Sequence, residues 1–117
     1  MRPTAFVAGP YMDIKPENIP KNISIAREAT VWLWDNNYYV FCPHLNTAGF
    51  HILTSQGEDI FKTFCFRVIR SGLIDLIVLL PFWQISEGTM NELAFARNLE
   101  IPIFEYISEP SSIMRLF

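Results

Sequence analysis

The sequence contains little charge and few cysteines, glycines and histidines for its length. Of its 117 residues 18% are charged, and there are only 5 glycines, 2 cysteines and 2 histidines. No Gly-rich phosphate loop and no G-x-S-x-G nucleophile turn occurs. His44 and His51 have no partner at the spacing of a zinc site. The net charge of −3 argues against the basic surface with which proteins bind DNA or RNA, so we expect no nucleic-acid partner.

A long uninterrupted apolar run is also missing. The most apolar stretch, residues 73–83, is broken by Asp75 and Pro81 and is shorter than a membrane-spanning helix requires. The N-terminal "MRPTAFVAGP" lacks the apolar region of a signal peptide. Cys42 and Cys65 lie among apolar neighbours and match no metal or redox spacing. These features predict a soluble, cytoplasmic protein without a membrane partner, in which both cysteines are buried and reduced.

Apolar residues, in contrast, make up 50% of the chain. A chain of this length forms one domain, here residues 1–117. So many apolar side chains exceed what one small core accommodates, and we expect some of them to be buried between subunits of a homo-oligomer, a dimer or larger.

Strand and helix patterns alternate along the chain. β-prone runs are "TAFVAG", "YYVFC", "DLIVLLP" and "IPIFEY", and helical patterns follow each of the first three. The helices are predicted to begin after Asn18 or Asn22, near Glu58 and at "SEGT". Such alternation is typical of an α/β fold with a parallel sheet of four to five strands and helices on both faces. The carboxyl ends of the strands then bring together residues 9–13, 43–50 and 81–88.

The segment "SEGTMNELAFA" (residues 86–96) carries the strongest candidate site. Ser86 is a good N-cap, and the first amides of the helix, including those of Gly88 and Thr89, form a possible anion site. A capping serine often does nothing else, so both interpretations stay open. Glu92 lies one turn after Gly88 on the same helical face, where the missing side chain leaves a ligand room to reach the carboxylate. A solvent-exposed glutamate is the ordinary alternative.

Two further loops carry candidate ligand-binding residues. Gly9 and Tyr11 follow the first strand, and the tyrosine could stack on a base or ribose. His44 and Asn46 follow the second strand and could hydrogen-bond a polar ligand. Each of these side chains could equally be an ordinary loop residue. The long connection that begins at Pro43 is of a kind that is often functional.

Taken together, "FVAGPY", "VFCPHLNT" and "DLIVLLPFWQISEGTMNELAFARNLEIPIFEY" resemble the nucleoside 2-deoxyribosyltransferase-like superfamily. This group includes the deoxynucleoside 5'-monophosphate N-glycosidases and many phage and bacterial relatives. The resemblance covers nearly the whole chain, and S-x-G-x-x-x-E-L-x-x-A is its most specific part. It implies a flavodoxin-like parallel sheet and an oligomer whose subunits complete each other's sites.

The resemblance also implies a reaction. Glu92 matches a glutamate nucleophile that attacks the deoxyribose anomeric carbon, and Gly88 matches the glycine before it. Ser86 matches the phosphate-binding serine of the monophosphate hydrolases, which favours a 5'-phosphorylated ligand over a free nucleoside. Gly9, Tyr11 and the loop after the second strand would line the sugar and base pocket. This mechanism requires no metal and no organic cofactor.

Two positions depart from the family pattern. Phe6 stands where the family usually has a tyrosine that orients the nucleophile. Arg67 stands where an aspartate usually helps to protonate the leaving base, and no Asp or Glu occurs from Ile60 to Ile74. General acid catalysis is commonly worth about 10²–10⁴-fold, and a carboxylate at residues 58–59 or from a neighbouring subunit could substitute for the missing aspartate. A nucleotide-binding protein without catalysis, in which Arg67 adds a phosphate anchor, is therefore the alternative, and a purely structural protein is a third hypothesis.

Overall fold

Five strands form one sheet in the order β2–β1–β3–β4–β5. The computed structural model describes residues 2–10, 18–46 and 58–117. The elements are β1 (Thr4–Ala8), α1 (Ile19–Asp35), β2 (Tyr39–Phe41), α2 (Pro43–Asn46), α3 (Glu58–Arg70), β3 (Leu76–Leu79), α4 (Glu87–Asn98), β4 (Ile103–Ser108) and β5 (Ser111–Arg115).

The inner strands are parallel. β1 pairs in parallel with β2 and β3, and β3 pairs in parallel with β4. The chain therefore crosses over from β2, at one edge, to β3 on the other side of β1. This is the flavodoxin-like strand order, in which ligands bind at the carboxyl ends of β1 and β3. The predicted α/β class with a mostly parallel sheet is confirmed.

The sheet is covered on both faces, and β1 from Ala5 to Ala8 and all of β3 are accordingly apolar and buried. Ala5 and Val7 face one layer, where α1 packs, whereas Phe6 and Ala8 face the other layer with α3 and α4. All four side chains are at most 2% exposed. A strand buried on both faces has a continuous apolar sequence instead of an alternating one.

Two segments differ from the prediction. Residues after Pro43 were expected to form an irregular connection, but Pro43–Asn46 form the short helix α2. Proline is favoured at the first position of a helix, which explains this start. Residues 47–57 of the predicted connection lie outside the described residues.

The tail "SEPSSIMRLF" lies outside the four β-prone runs of the sequence. Its residues Ser111–Arg115 form β5, which pairs antiparallel with β4. Within the part of the chain that the structure describes, no helix is both long and apolar enough to cross a membrane.

Candidate functional site

The loops that follow β1, β2 and β3 meet at one edge of the sheet. The amide of Leu80 donates to the carbonyl of Ala8 (2.8 Å), which joins the ends of β3 and β1. The imidazole Nε2 of His44 lies 2.7 Å from the carbonyl oxygen of Pro10, which joins α2 to the loop after β1. A 3₁₀ turn at Trp83–Ile85 then leads from β3 into α4. The first turns of α4 consequently lie at this edge.

Ser86 caps α4, as the sequence predicts. Its backbone is extended (φ −100°, ψ 109°), and its Oγ accepts from the amide of Thr89 at 3.3 Å. Thr89 is only 2% exposed, and its hydroxyl also donates to Ser86 Oγ at 2.8 Å. Both the amide and the hydroxyl of Thr89 therefore donate to the cap. The predicted anion site is reduced to the Ser86 hydroxyl and the helix amides before Thr89, such as that of Gly88, which have no intrahelical acceptor.

The missing side chain of Gly88 leaves a narrow gap between the start of α4 and Lys62 of α3. Among the residues that the structure describes, a Cβ built at this position would meet Cε of Lys62 at 3.9 Å, an ordinary van der Waals contact. Lys62 belongs to α3, so its aliphatic stem extends across the gap toward the first turn of α4. The glycine therefore keeps a side chain out of this gap, and Lys62 borders it on the far side.

Glu92, the predicted nucleophile, is half-buried in the second turn of α4. Burial raises the pKa of its carboxyl from the ordinary value of 4.5 to about 7. A hydrogen bond with Cys65 and the positive charge of Lys62 both oppose this shift. A carboxyl with this pKa is ionised in about half of the molecules at neutral pH and can act as a nucleophile or as a proton acceptor.

Cys65 of α3 is the buried partner of that carboxyl. It is 8% exposed, and burial together with the negative charge of Glu92 raises the pKa of its thiol to about 12. The thiol therefore keeps its proton at neutral pH and donates a hydrogen bond to the Glu92 carboxylate. Both cysteines are buried and unbridged, which agrees with the predicted reduced thiols.

His44 and Gly9, predicted to line the sugar and base pocket, have evident structural roles. His44 is 5% exposed, and burial lowers the pKa of its imidazole, so the ring is neutral and its Nε2–H donates to Pro10. A Cβ at Gly9 would lie 2.5 Å from Cβ of Leu80. The absence of a side chain therefore lets this loop rest on the end of β3. Tyr11 lies outside the described residues, as does the side chain of Asn46.

The two positions that depart from the family pattern differ in their surroundings. Phe6 is fully buried and stacks on Phe41, with ring centroids 5.6 Å apart. Arg67 is exposed. It lies two positions after Cys65, which corresponds to a rotation of about 200° around the axis of α3. Arg67 therefore lies on a different face of α3 from Cys65.

Lys62 and Cys65 were not recognised as site residues from the sequence. They lie three residues apart, on one face of α3, and this spacing is a weak signal that many helices show. Only the packing of α3 against α4 brings them to Glu92. Within the described ranges, no group of three His, Cys, Asp or Glu side chains is arranged to hold a metal ion.

The fold is similar to that of a solved 2-deoxyribosyltransferase. The solved 2-deoxyribosyltransferase of the psychrotolerant bacterium Bacillus psychrosaccharolyticus matches this chain with a TM-score of 0.58 at 21% identity. The match covers 87% of this chain and 70% of that enzyme, which is described as a biocatalyst for the synthesis of antiviral and antitumoral nucleosides. No family model matches the sequence, and no curated protein matches it. The comparison confirms the predicted fold.

Proposed function

We propose that this protein cleaves the N-glycosidic bond of a (deoxy)nucleoside 5'-monophosphate, with Glu92 as the nucleophile. The observation that carries the proposal is the half-buried Glu92 carboxyl, whose pKa burial raises to about 7 and which lies one turn after Gly88. A surface glutamate would not have these properties. The flavodoxin-like strand order, which brings ligands to this edge of the sheet, and the fold shared with a 2-deoxyribosyltransferase support the same assignment.

In the proposed reaction the ionised Glu92 attacks the anomeric carbon of the sugar. The bond from that carbon to the base nitrogen breaks, and the base leaves with the electron pair. Water then attacks the same carbon, releases Glu92 and yields the sugar 5'-phosphate, whereas attack by a second base exchanges the bases. Since α3 offers no carboxylate from Ile60 onward, the departing base takes its proton from water, and we expect slow turnover.

The start of α4 favours a phosphate on the substrate. Ser86 Oγ accepts two hydrogen bonds, which leaves its own hydrogen for an anion. The Gly88 amide and the positive end of the helix dipole also favour an anion at this position. The ammonium group of Lys62 adds positive charge across the gap. A carboxylate in place of Ser86 would instead repel a phosphate dianion.

The test is release of free base from a panel of ribo- and deoxyribonucleosides and their 5'-monophosphates, followed by chromatography. We expect release from monophosphates and its loss in Glu92→Gln. Glu87→Gln is the matched control, because Glu87 is an exposed glutamate on the same helix and should be dispensable. Ser86→Asp should shift the preference toward free nucleosides. Full activity of Glu92→Gln would refute the proposed nucleophile.

Nucleotide binding without catalysis is the second candidate function, favoured by the missing carboxylate on α3 and by Phe6, which has no hydroxyl. It predicts stoichiometric binding of a monophosphate that a mass spectrum finds unchanged after long incubation. Released base in wild type would exclude it.

We also propose that the protein is a homo-oligomer. Large apolar side chains are exposed beside the site: Phe82 is 66% exposed, Ile85 78% and Met90 42%. Several large apolar side chains exposed together mark contacts between proteins more often than singly scattered apolar residues do. Light scattering of the purified protein should give the mass of a dimer or larger, and a monomer at all concentrations would contradict this.

A further inference from the structure

Cys65 of α3 forms a hydrogen bond with the Glu92 carboxyl of α4. Cys65 belongs to a core cluster that also contains Leu93, the neighbour of Glu92 on α4. The packing of α3 on α4 therefore fixes the thiol beside the carboxylate. The strands beneath contribute Phe6, Ala8 and Leu79 to this cluster.

Two groups of α3 face the carboxylate among the residues that the structure describes, Cys65 and Lys62. They differ in their freedom. Lys62 is exposed, and its ammonium group lies at the end of a long flexible side chain. It therefore stabilises the negative charge of Glu92 without fixing the orientation of the carboxylate. Cys65 is buried, has one rotatable bond before its sulfur and keeps its proton at neutral pH. It is the donor that can hold the carboxylate in one position.

We propose that Cys65 is a positioning residue for the reaction: its thiol donates a hydrogen bond to one oxygen of Glu92, which leaves the other oxygen oriented for attack. This inference rests on the proposed function, with Glu92 as the nucleophile. Pre-positioned reacting groups lower a barrier because little freedom is lost in the transition state. The thiol compensates for the missing hydroxyl at Phe6. As a weak donor, it leaves the carboxylate more nucleophilic than a strong donor would.

The pH dependence of kcat/KM for base release tests this role. The acid limb of the profile reports ionisation of Glu92. Loss of the thiol in Cys65→Ala should move that limb to higher pH by about one unit. At pH values below the limb, kcat/KM should then be about tenfold lower than in wild type. Cys65→Ser keeps a donor and should restore the limb. Cys42→Ala is the matched control, because it removes the other buried thiol from the opposite layer of the core and should leave the limb in place.

A readout that does not need activity separates this inference from the proposed function. In protein labelled with ¹³C at the glutamate carboxyl groups, the Glu92 signal is the one that Glu92→Gln removes. Its titration midpoint should rise in Cys65→Ala. Conversely, Glu92→Gln should lower the pKa of Cys65 and speed its alkylation, located by peptide mass spectrometry, about tenfold or more at alkaline pH.

These results have distinct meanings. An unchanged Glu92 titration in folded Cys65→Ala would overturn the positioning role, as would an unchanged alkylation rate in Glu92→Gln if Cys65→Ala does not fold. Wild type that releases no base, yet shows both shifts, would refute the proposed reaction and keep the thiol–carboxylate contact.

Discussion

Replacement of Glu92 by glutamine should stabilise the protein at neutral and alkaline pH while it abolishes base release. Burial raises the pKa of Glu92 from 4.5 to about 7, so the folded state binds a proton more tightly than the unfolded state does. Between these two values the folded protein holds more protons than the unfolded chain, and stability falls as the pH rises. Below about 4.5 the carboxyl is protonated in both states and imposes no cost.

The magnitude follows from the size of the shift. Each pKa unit corresponds to about 1.4 kcal/mol, so a rise to about 7 gives an upper bound of about 3 kcal/mol. Glu92 is only half-buried, and solvent reduces the cost to about 1–2 kcal/mol. Glutamine has nearly the same shape, carries no charge and can still accept from Cys65. The variant should therefore gain about 1–2 kcal/mol above pH 7.

Urea unfolding, followed by circular dichroism across the pH range, measures this gain. The difference between Glu92→Gln and wild type should be near zero below pH 4.5, should grow up to about pH 7 and should then stay constant. Glu87→Gln is the control with the opposite sign. Its exposed carboxylate lies in the first turn of α4, where it favours the helix dipole, so its loss should cost about 0.3–1 kcal/mol.

Two results would refute the reasoning. If Glu92→Gln is no more stable than wild type at alkaline pH, the carboxylate is not desolvated in the folded state. If the gain is the same at every pH, it comes from packing instead of ionisation. In either case the nucleophile would lose its main physical support.

Three further predictions concern single residues. Gly88→Ala should stabilise α4 by up to about 1 kcal/mol but should raise KM, because the added methyl group enters the gap. Unfolding and kinetics measured on the same variant check both effects. An unchanged KM would contradict a ligand site at this gap. Gly9→Ala should destabilise by about 1–3 kcal/mol, since its Cβ would overlap Leu80, and a wild-type melting temperature would contradict this packing. Tyr106→Phe should cost about 1–2 kcal/mol in urea unfolding, because the Tyr106 hydroxyl donates to Glu28 at 2.7 Å; no loss would mean that this bond contributes nothing.

Much of the fold could be predicted because its strands have strong local signals. β1 and β3 are short apolar runs that end at Gly9 and near Pro81, and the helices between them show a clear apolar period. β5 could not be predicted in this way. Its sequence mixes serines with apolar residues, and it becomes a strand because β4 offers it an edge for pairing. Pairing between strands depends on contacts that local sequence does not specify.

The site shows the same division between local and tertiary information. Ser86, Gly88 and Glu92 belong to one helix, and helical periodicity alone relates the cap, the gap and the carboxylate. Thr89 was assigned to the anion site for its amide, but its hydrogen bonds to Ser86 were not evident from the sequence. Cys65 was interpreted as an inert core thiol, since a buried cysteine is usually only that.

Arg67 shows why a position counted along the chain can give the wrong neighbour. A shift of two residues moves a helical side chain by only about 3 Å along the axis but turns it to nearly the opposite face. Cys65 therefore faces Glu92, and the exposed Arg67 does not. The arginine says little about catalysis, and Arg67→Ala should leave the pH profile of base release in place. What limits the reaction is instead that α3 offers a thiol and a lysine to Glu92 and, from Ile60 onward, no second carboxylate.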